Sequence, residues 1–186
     1  MLLIGKRTSV LTRLTAALEA QGITADLVHD IPAGGPDNLG GLGAAGARYG
    51  VVAFGRAVRA ADRERLRKSF ADADPDVVFV DGYAPIIALL VAQFEQALDR
   101  RPLGQRTIMD AAVRDGIVDV ELRGPCRLRI TAYRLDALYR THEKTLLDRD
   151  VEPGTHSAAL GPRAARSRNA FVVIRAGDET AALPVD

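Results

Sequence analysis

The chain has 186 residues, 47% of them hydrophobic, and its 25 basic and 24 acidic side chains leave a formal net charge of +1. That length makes one large domain or two small ones, and the apolar content excludes disorder across the whole chain. The charge balance argues against a general binder of nucleic acid or of a membrane surface, because long-range attraction to polyanions needs an excess of positive charge; a local basic patch is still compatible. Cys126 is the single cysteine, so no internal disulfide and no thiolate zinc site can form, which fits a reducing compartment. At the start, Leu2-Leu3-Ile4 precedes Lys6-Arg7, the reverse of the order in a secretory signal. No segment is long and apolar enough to span a bilayer. The expectation is a soluble cytoplasmic protein.

In chain order, Leu2-Leu3-Ile4 reads as a short first strand, and Gly5-Lys6-Arg7-Thr8-Ser9 as the turn that follows, with Thr8 or Ser9 able to cap a helix. Val10, Leu11, Leu14, Ala17 and Leu18 make that helix's apolar stripe, and Gly22 ends it. Ile23 to Val28 reads as a second strand. Ile31 to Pro36 is a loop, and Asp37 to Arg48 is a poor helix, since each of its four glycines costs about 1 kcal/mol against alanine. Val51 to Phe54 is a third strand, and Ala61 to Ala73 a charged helix with Leu66 and Phe70 facing inward. Val77 to Val80 is a continuous apolar run, which predicts a strand buried on both faces. Pro85 suits the first turn of the helix from Ile86 to Leu98, whose stripe is Ile87, Leu90, Val91, Phe94 and Leu98. Strand and helix thus alternate four times over residues 1–101, the pattern of a parallel sheet with helices on both faces.

Residues 102–116 read as a linker, with a short helix from Thr107 to Asp115 stopped by Gly116. From Ile117 the apolar period falls to two: Val118, Val120, Leu122, then Leu128, Ile130, Ala132. Further strands are expected at Leu138–Leu147, Thr155–Leu160, Phe171–Arg175 and Thr180–Val185, with a turn at Glu152-Pro153-Gly154 and a tight hairpin at Ala176-Gly177-Asp178-Glu179. Gly161 to Asn169 is expected to be an exposed loop. Residues 117–186 therefore predict a small antiparallel β-sandwich. The expected fold is α/β plus β: a small parallel-sheet, Rossmann-like domain followed by that sandwich.

Two resemblances add to this. A strand ending in Leu3-Ile4-Gly5, a third ending in Phe54-Gly55 and one ending in Phe79-Val80-Asp81-Gly82 resemble the receiver-like branch of flavodoxin-like folds over residues 1–99. A receiver carries an acidic pair after its first strand to hold magnesium and a phosphoacceptor Asp after its third. This chain has Gly5-Lys6 and Gly55 there, so the resemblance implies a degenerate receiver without the phosphorylation switch. Leu128-Arg129-Ile130 leading to Tyr133, then Val151-Glu152-Pro153-Gly154-Thr155-His156, then Phe171 to Thr180 are similar to the immunoglobulin-like module of the flagellar hook-capping protein and related bacterial sandwich modules. That likeness implies a structural or adhesive role without catalytic residues.

Candidate sites follow from chemistry. Gly5, Lys6, Arg7, Thr8 and Ser9 leave a first strand and open a helix, where backbone N–H groups attract phosphate and the two cations add charge. A nucleotide cofactor such as NAD(P) would sit there, its adenosine near Asp26 to Asp30; but Gly5 is the only glycine of the dinucleotide fingerprint, and a plain capped turn weighs more. Asp81 ends a strand, where open α/β sheets bind ligands, with no partner beside it in sequence; a turn-forming Asp before Gly is the plainer reading. His29, His142 and His156 show no metal-site spacing, and Ser157 no nucleophile elbow. Arg59, Arg63 and Arg67, near Arg56 and Lys68, share one helix face; an anion site competes with a solvated charged face interleaved by Asp62, Glu64 and Asp72. Finally, Ile86, Leu89 and Ala92 give the helix from Ile86 to Leu98 a second apolar face, which the sandwich or a second copy of the chain must cover.

These residues lead to a non-enzymatic regulatory or protein-interaction module, associating as a homodimer through the Ile86–Leu98 helix. The rival is an NAD(P)- or other nucleotide-binding enzyme, and a third option is an anion sensor on the arginine face. Whether Gly34 to Gly46 is a lid or a linker is left open.

Overall fold

The computed structural model describes residues 1–6, 8–29, 49–83, 85–167 and 169–185. The chain divides into two compact units, Met1–Leu98 and Asp99–Asp186. Among the described residues no helix is long and apolar enough to cross a membrane.

The first unit holds four short parallel strands: β1 (Leu2–Ile4), β2 (Asp26–Val28), β3 (Val51–Phe54) and β4 (Val78–Asp81), in the spatial order β2-β1-β3-β4. Helix α1 (Thr8–Glu19) follows β1, α2 (Ala60–Ala73) joins β3 to β4, and α3 (Ile87–Leu98) follows β4. The central strands β1 and β3 are buried at every residue, and their side chains alternate between the two faces. Leu3, Val51 and Ala53 meet Leu11, Leu14 and Leu18 of α1 and Leu90, Val91 and Phe94 of α3. Leu2, Ile4, Val52 and Phe54 meet Val58 and, from α2, Leu66 and Phe70. So α1 and α3 cover one face and α2 the other. Each such apolar side chain contributes roughly 1.5–3 kcal/mol when fully buried.

Helix α1 ends as its sequence requires. Gly22 takes φ +74, its N–H donates to Glu19 O, and the Ile23 N–H donates back to Leu18 O, each at 2.9 Å. This six-to-one closure needs a left-handed residue, which glycine supplies without a Cβ penalty. The run ending in Val80 packs on both faces as expected, Val77 and Phe79 on the α2 side and Val78 and Val80 on the side of α1 and α3, but β4 lies at the edge of the sheet and Val78 and Phe79 are only half-buried. An edge strand has a neighbour on one side only, and an apolar run does not reveal that. In α3 the second face is buried along with the first, Leu89 and Ala92 completely. The loop and helix considered for residues 31–48, and the question of a lid at Gly34 to Gly46, lie outside the described residues.

The second unit is antiparallel. One sheet, in the order β11-β10-β7-β8, is built from β7 (Cys126–Leu135), β8 (Thr141–Val151), β10 (Ala170–Ala176) and β11 (Glu179–Pro184). A second sheet, in the order β5-β6-β9, is built from β5 (Ile108–Arg114), β6 (Ile117–Leu122) and β9 (Gly154–Ala159). Val118, Val120 and Leu122 of the smaller sheet share one core with Leu128, Ile130, Val172 and Ile174 of the larger.

Three expectations are corrected here. The helix over Thr107 to Asp115 is strand β5, preceded by a single 3-10 turn at Leu103–Gln105. The register shifts between Ile108 and Asp110, so Ile108, then Ala111 and Val113, meet the core. That bulge breaks the period of two and left a spacing that mimics a helix. The strand expected at Leu138–Leu147 starts only at Thr141, because Asp136 to Arg140 form the connecting loop. Within the loop expected over Gly161 to Asn169, Pro162–Ala165 forms the short helix α4, and Ala164 and Ala165 pack on the core. The tight hairpin joining β10 to β11 pairs Ala176 with Glu179 across Gly177-Asp178.

Candidate functional site at the carboxyl ends of the parallel strands

Between β1 and β3 the sheet order reverses: β2 lies on one side of β1 and β3 on the other. Open α/β sheets bind ligands at the carboxyl ends of the strands at such a switch point. Here three neighbouring strands leave the sheet on glycine at one level. Gly5 N donates to Val28 O at 3.0 Å, Gly55 N to Ile4 O at 2.8 Å, and Gly82 N to Phe54 O at 3.0 Å. A Cβ built on Gly55 would stand 3.5 Å from Gly5 Cα, and one on Gly82 would press within 3.1 Å of Leu90 Cδ2. Glycine at the three rim positions Gly5, Gly55 and Gly82 therefore lets the strand ends pack closely against each other and against Leu11 and Leu90; Gly5 is buried, and Gly55 and Gly82 are partly exposed.

Beside the rim stands an ion cluster that no sequence spacing announces. Asp81, the last residue of β4, receives Arg67 Nη2 on Oδ2 at 2.5 Å, and Arg63 Nη1 lies 3.2 Å from Oδ1. Arg63 also donates to Val58 O at 3.0 Å. The Arg67 guanidinium lies 5.7 Å from the Phe54 ring centroid and 5.8 Å from that of Phe79, two rings that stack on each other at 6.2 Å. Such cation–π contacts add to the pair and fix the direction of the side chain. Yet Arg63 Nε, Arg67 Nε and Asp81 Oδ1 are shielded from solvent and make no hydrogen bond. Behind the cluster, Gln93 Nε2 donates to Asp81 O and its Oε1 accepts from Tyr83 N, both at 3.1 Å. This buried amide of α3 holds the loop after β4 in place.

The arginine face of α2 is thus divided. Arg63 and Arg67 turn to Asp81, whereas Arg59 pairs with Asp62 at 2.8 Å and Arg65 with the same carboxylate at 2.7 Å. The Arg59 hydrogen bond, with Arg65 adding to it, holds the Asp62 carboxyl below its ordinary range against the opposing effect of burial.

Of the proposed phosphate turn, Gly5 lies in the rim, Lys6 is exposed, and Thr8 and Ser9 are the first two residues of α1. Arg7 lies outside the described residues. Asp26, expected near an adenosine, opens β2 at the amino end of the sheet, paired in register with Leu2. There it accepts the Tyr49 hydroxyl at 2.9 Å; burial first, and then that bond, push the Tyr49 phenol up to about 12. Asp30 is not among the described residues. The histidines are apart: His142 Nε2 lies 3.0 Å from Asp136 Oδ2, and His156 Nε2 lies 2.8 Å from Glu152 O. Ser157 donates instead to Asp119 Oδ1 at 2.6 Å. Burial raises the Cys126 thiol above its usual range, which disfavours the nucleophilic thiolate. Among the described residues no three or more His, Cys, Asp or Glu side chains come together as a metal site.

Sequence reasoning named Asp81, Arg63 and Arg67 separately but did not join them, and it missed Gly55, Gly82 and Gln93 as parts of one site. The signal was present: Ile4-Gly5, Phe54-Gly55 and Asp81-Gly82 each put a glycine directly after a strand. Compared with family models and with curated proteins, the chain matches none.

Proposed function

We propose that the chain is a non-enzymatic regulatory or protein-interaction module, with a degenerate receiver-like α/β unit and an immunoglobulin-like sandwich built from the two antiparallel sheets. One observation carries this reading: the carboxylate at the rim, Asp81, is engaged by both Arg63 and Arg67. A carboxylate closed by two guanidinium groups is a poor general base and a poor magnesium ligand. The positions where a receiver places its acidic pair and phosphoacceptor hold Gly5-Lys6 and Gly55. Homodimerisation through the Ile86–Leu98 helix is part of this proposal.

A second reading has its own support. The switch point between β1 and β3, with exposed Lys6 leading into the start of α1, suits a phosphate-bearing nucleotide such as NAD(P). Thermal unfolding against NAD(P), ATP and inorganic phosphate at fixed salt separates the two. A ligand of the folded state at 100 times its dissociation constant adds about 2.7 kcal/mol, a visible shift. The regulatory reading expects no shift with the nucleotides. A shift with NAD(P) or ATP that disappears in the K6A/R7A double variant would replace it with the nucleotide reading.

A further inference from the structure

We infer that the second unit carries a separate binding groove for a small organic anion with an apolar body, between the amino-terminal half of β8 and α4. The groove has a volume of about 420 Å³, inside the range of small-molecule sites, which combine a mostly apolar lining with a few placed polar groups. Its apolar lining comes from Ala132, Leu146, Pro162 and Ala164, and its charge from Arg134, Lys144 and Arg163.

The strand register explains why these groups converge. Side chains alternate along β7, and Leu128, Ile130 and Ala132 point into the core between the sheets. Arg134 is next on that face. Its partner across the ladder is His142, and the partner of Ala132 is Lys144. The core face of the sheet therefore becomes cationic where the smaller sheet no longer covers it and α4 does. The Lys144 ammonium stands 3.9 Å from the Cβ position of Gly161, so it reaches across the groove towards the start of α4. Glu143, the acidic residue of the lining, falls on the opposite face by the same alternation. His142 is already bound to Asp136. No ion pair joins Arg134, Lys144 or Arg163 to another described residue. Three cations without an ion pair among the described residues, set around an apolar floor, select a ligand with one anionic head on a hydrocarbon or aromatic body. Inward-pointing charge on an edge strand also deters edge-to-edge pairing. That role needs neither the apolar floor nor the roof that α4 adds.

The probe is 8-anilinonaphthalene-1-sulfonate, an aromatic body with one sulfonate, displaced by decanoate. The wild-type chain should bind it saturably, with amide shifts confined to residues 132–134, 142–146 and 161–164. The K144E/R163E double variant should weaken binding at least tenfold, A164W should block it, and R13E on α1 should leave it unchanged. Absence of saturable binding, amide shifts elsewhere, or equal binding by K144E/R163E and R13E overturns the inference. The amide-shift map of the wild-type chain decides the matter even where a variant does not fold.

Discussion

Two carboxylates, one in each unit, show how differently the same chemistry is used. Asp81 and Glu179 both stand at a strand terminus and both face arginine. The Asp81 side chain is 44% exposed and its hydrogen bond comes from Arg67. Glu179 is 3% exposed; it accepts the backbone N–H of Thr107 and of Ile108, the latter at 2.9 Å, with Arg101 Nη1 at 3.6 Å. Arg101 is itself fixed by Asp99 at 3.0 Å and by Asp178 at 3.0 Å. Glu179 therefore ties the entry of β5 to β11 and joins the two sheets at one corner. A buried acceptor of backbone donors is a structural part, because its loss leaves those donors unsatisfied. A half-exposed ion pair contributes little to stability, so the Asp81 cluster is far less a structural part than Glu179.

The largest expected effect tests this difference directly. Glu179→Ala should destabilise the second unit by about 3 kcal/mol, since two N–H groups and a guanidinium lose their partner together. Urea unfolding followed by circular dichroism gives the loss, and Glu179→Gln, which retains an acceptor, should lose less. Next in size is Gly116→Ala in the turn between β5 and β6. Asp115 at φ +51 and Gly116 at φ +75 form a hairpin turn with both central residues left-handed. A Cβ at Gly116 would also sit 3.2 Å from the Ala165 Cβ. A loss of about 1–2 kcal/mol is expected from the backbone alone. Asp81→Asn should cost less than about 1 kcal/mol, as for other exposed pairs, with the melting temperature becoming less sensitive to salt. A cost at Asp81 equal to that at Glu179 would remove the distinction between the two units.

The two units also differ in how far their sequences announce them. The central parallel strands are legible because burial on both faces needs an unbroken apolar run, and Leu2-Leu3-Ile4 and Val51 to Phe54 provide it. The edge position of β4 is not legible, since it depends on which strand lies beside it. The antiparallel unit is legible where the period of two holds, in β6 and β7, and in the continuous apolar run of β10, and fails at the bulge in β5. There Asp115-Gly116 was the better guide, as a hairpin dipeptide rather than a helix stop. The candidate site was legible in parts only. Asp81 and Arg67 are 14 residues apart, and what joins them is the parallel crossover through α2. Spacing along the chain carries no trace of that.

The smallest expected effect concerns a third way of holding a carboxylate, by a turn. Asp136 Oδ1 accepts from Leu138 N and Arg140 N, each at 2.9 Å, and Oδ2 lies 3.0 Å from His142 Nε2. The His142 hydrogen bond first, then the backbone donors, pull the Asp136 carboxyl down from 3.8 to about 2. A depressed value means that the folded state favours the charged form. Whatever this turn adds to stability is present above the unfolded value of 3.8 and disappears as pH falls towards about 2. A carboxyl-carbon titration by NMR should therefore find the Asp136 midpoint near about 2. In His142→Gln it should rise but stay below the ordinary aspartate value, because the two backbone donors survive. An unchanged midpoint would assign the depression to the backbone alone. A midpoint at the ordinary value in the wild-type chain would mean that the β7–β8 turn is open in solution, and with it the edge of the groove that His142 and Lys144 line.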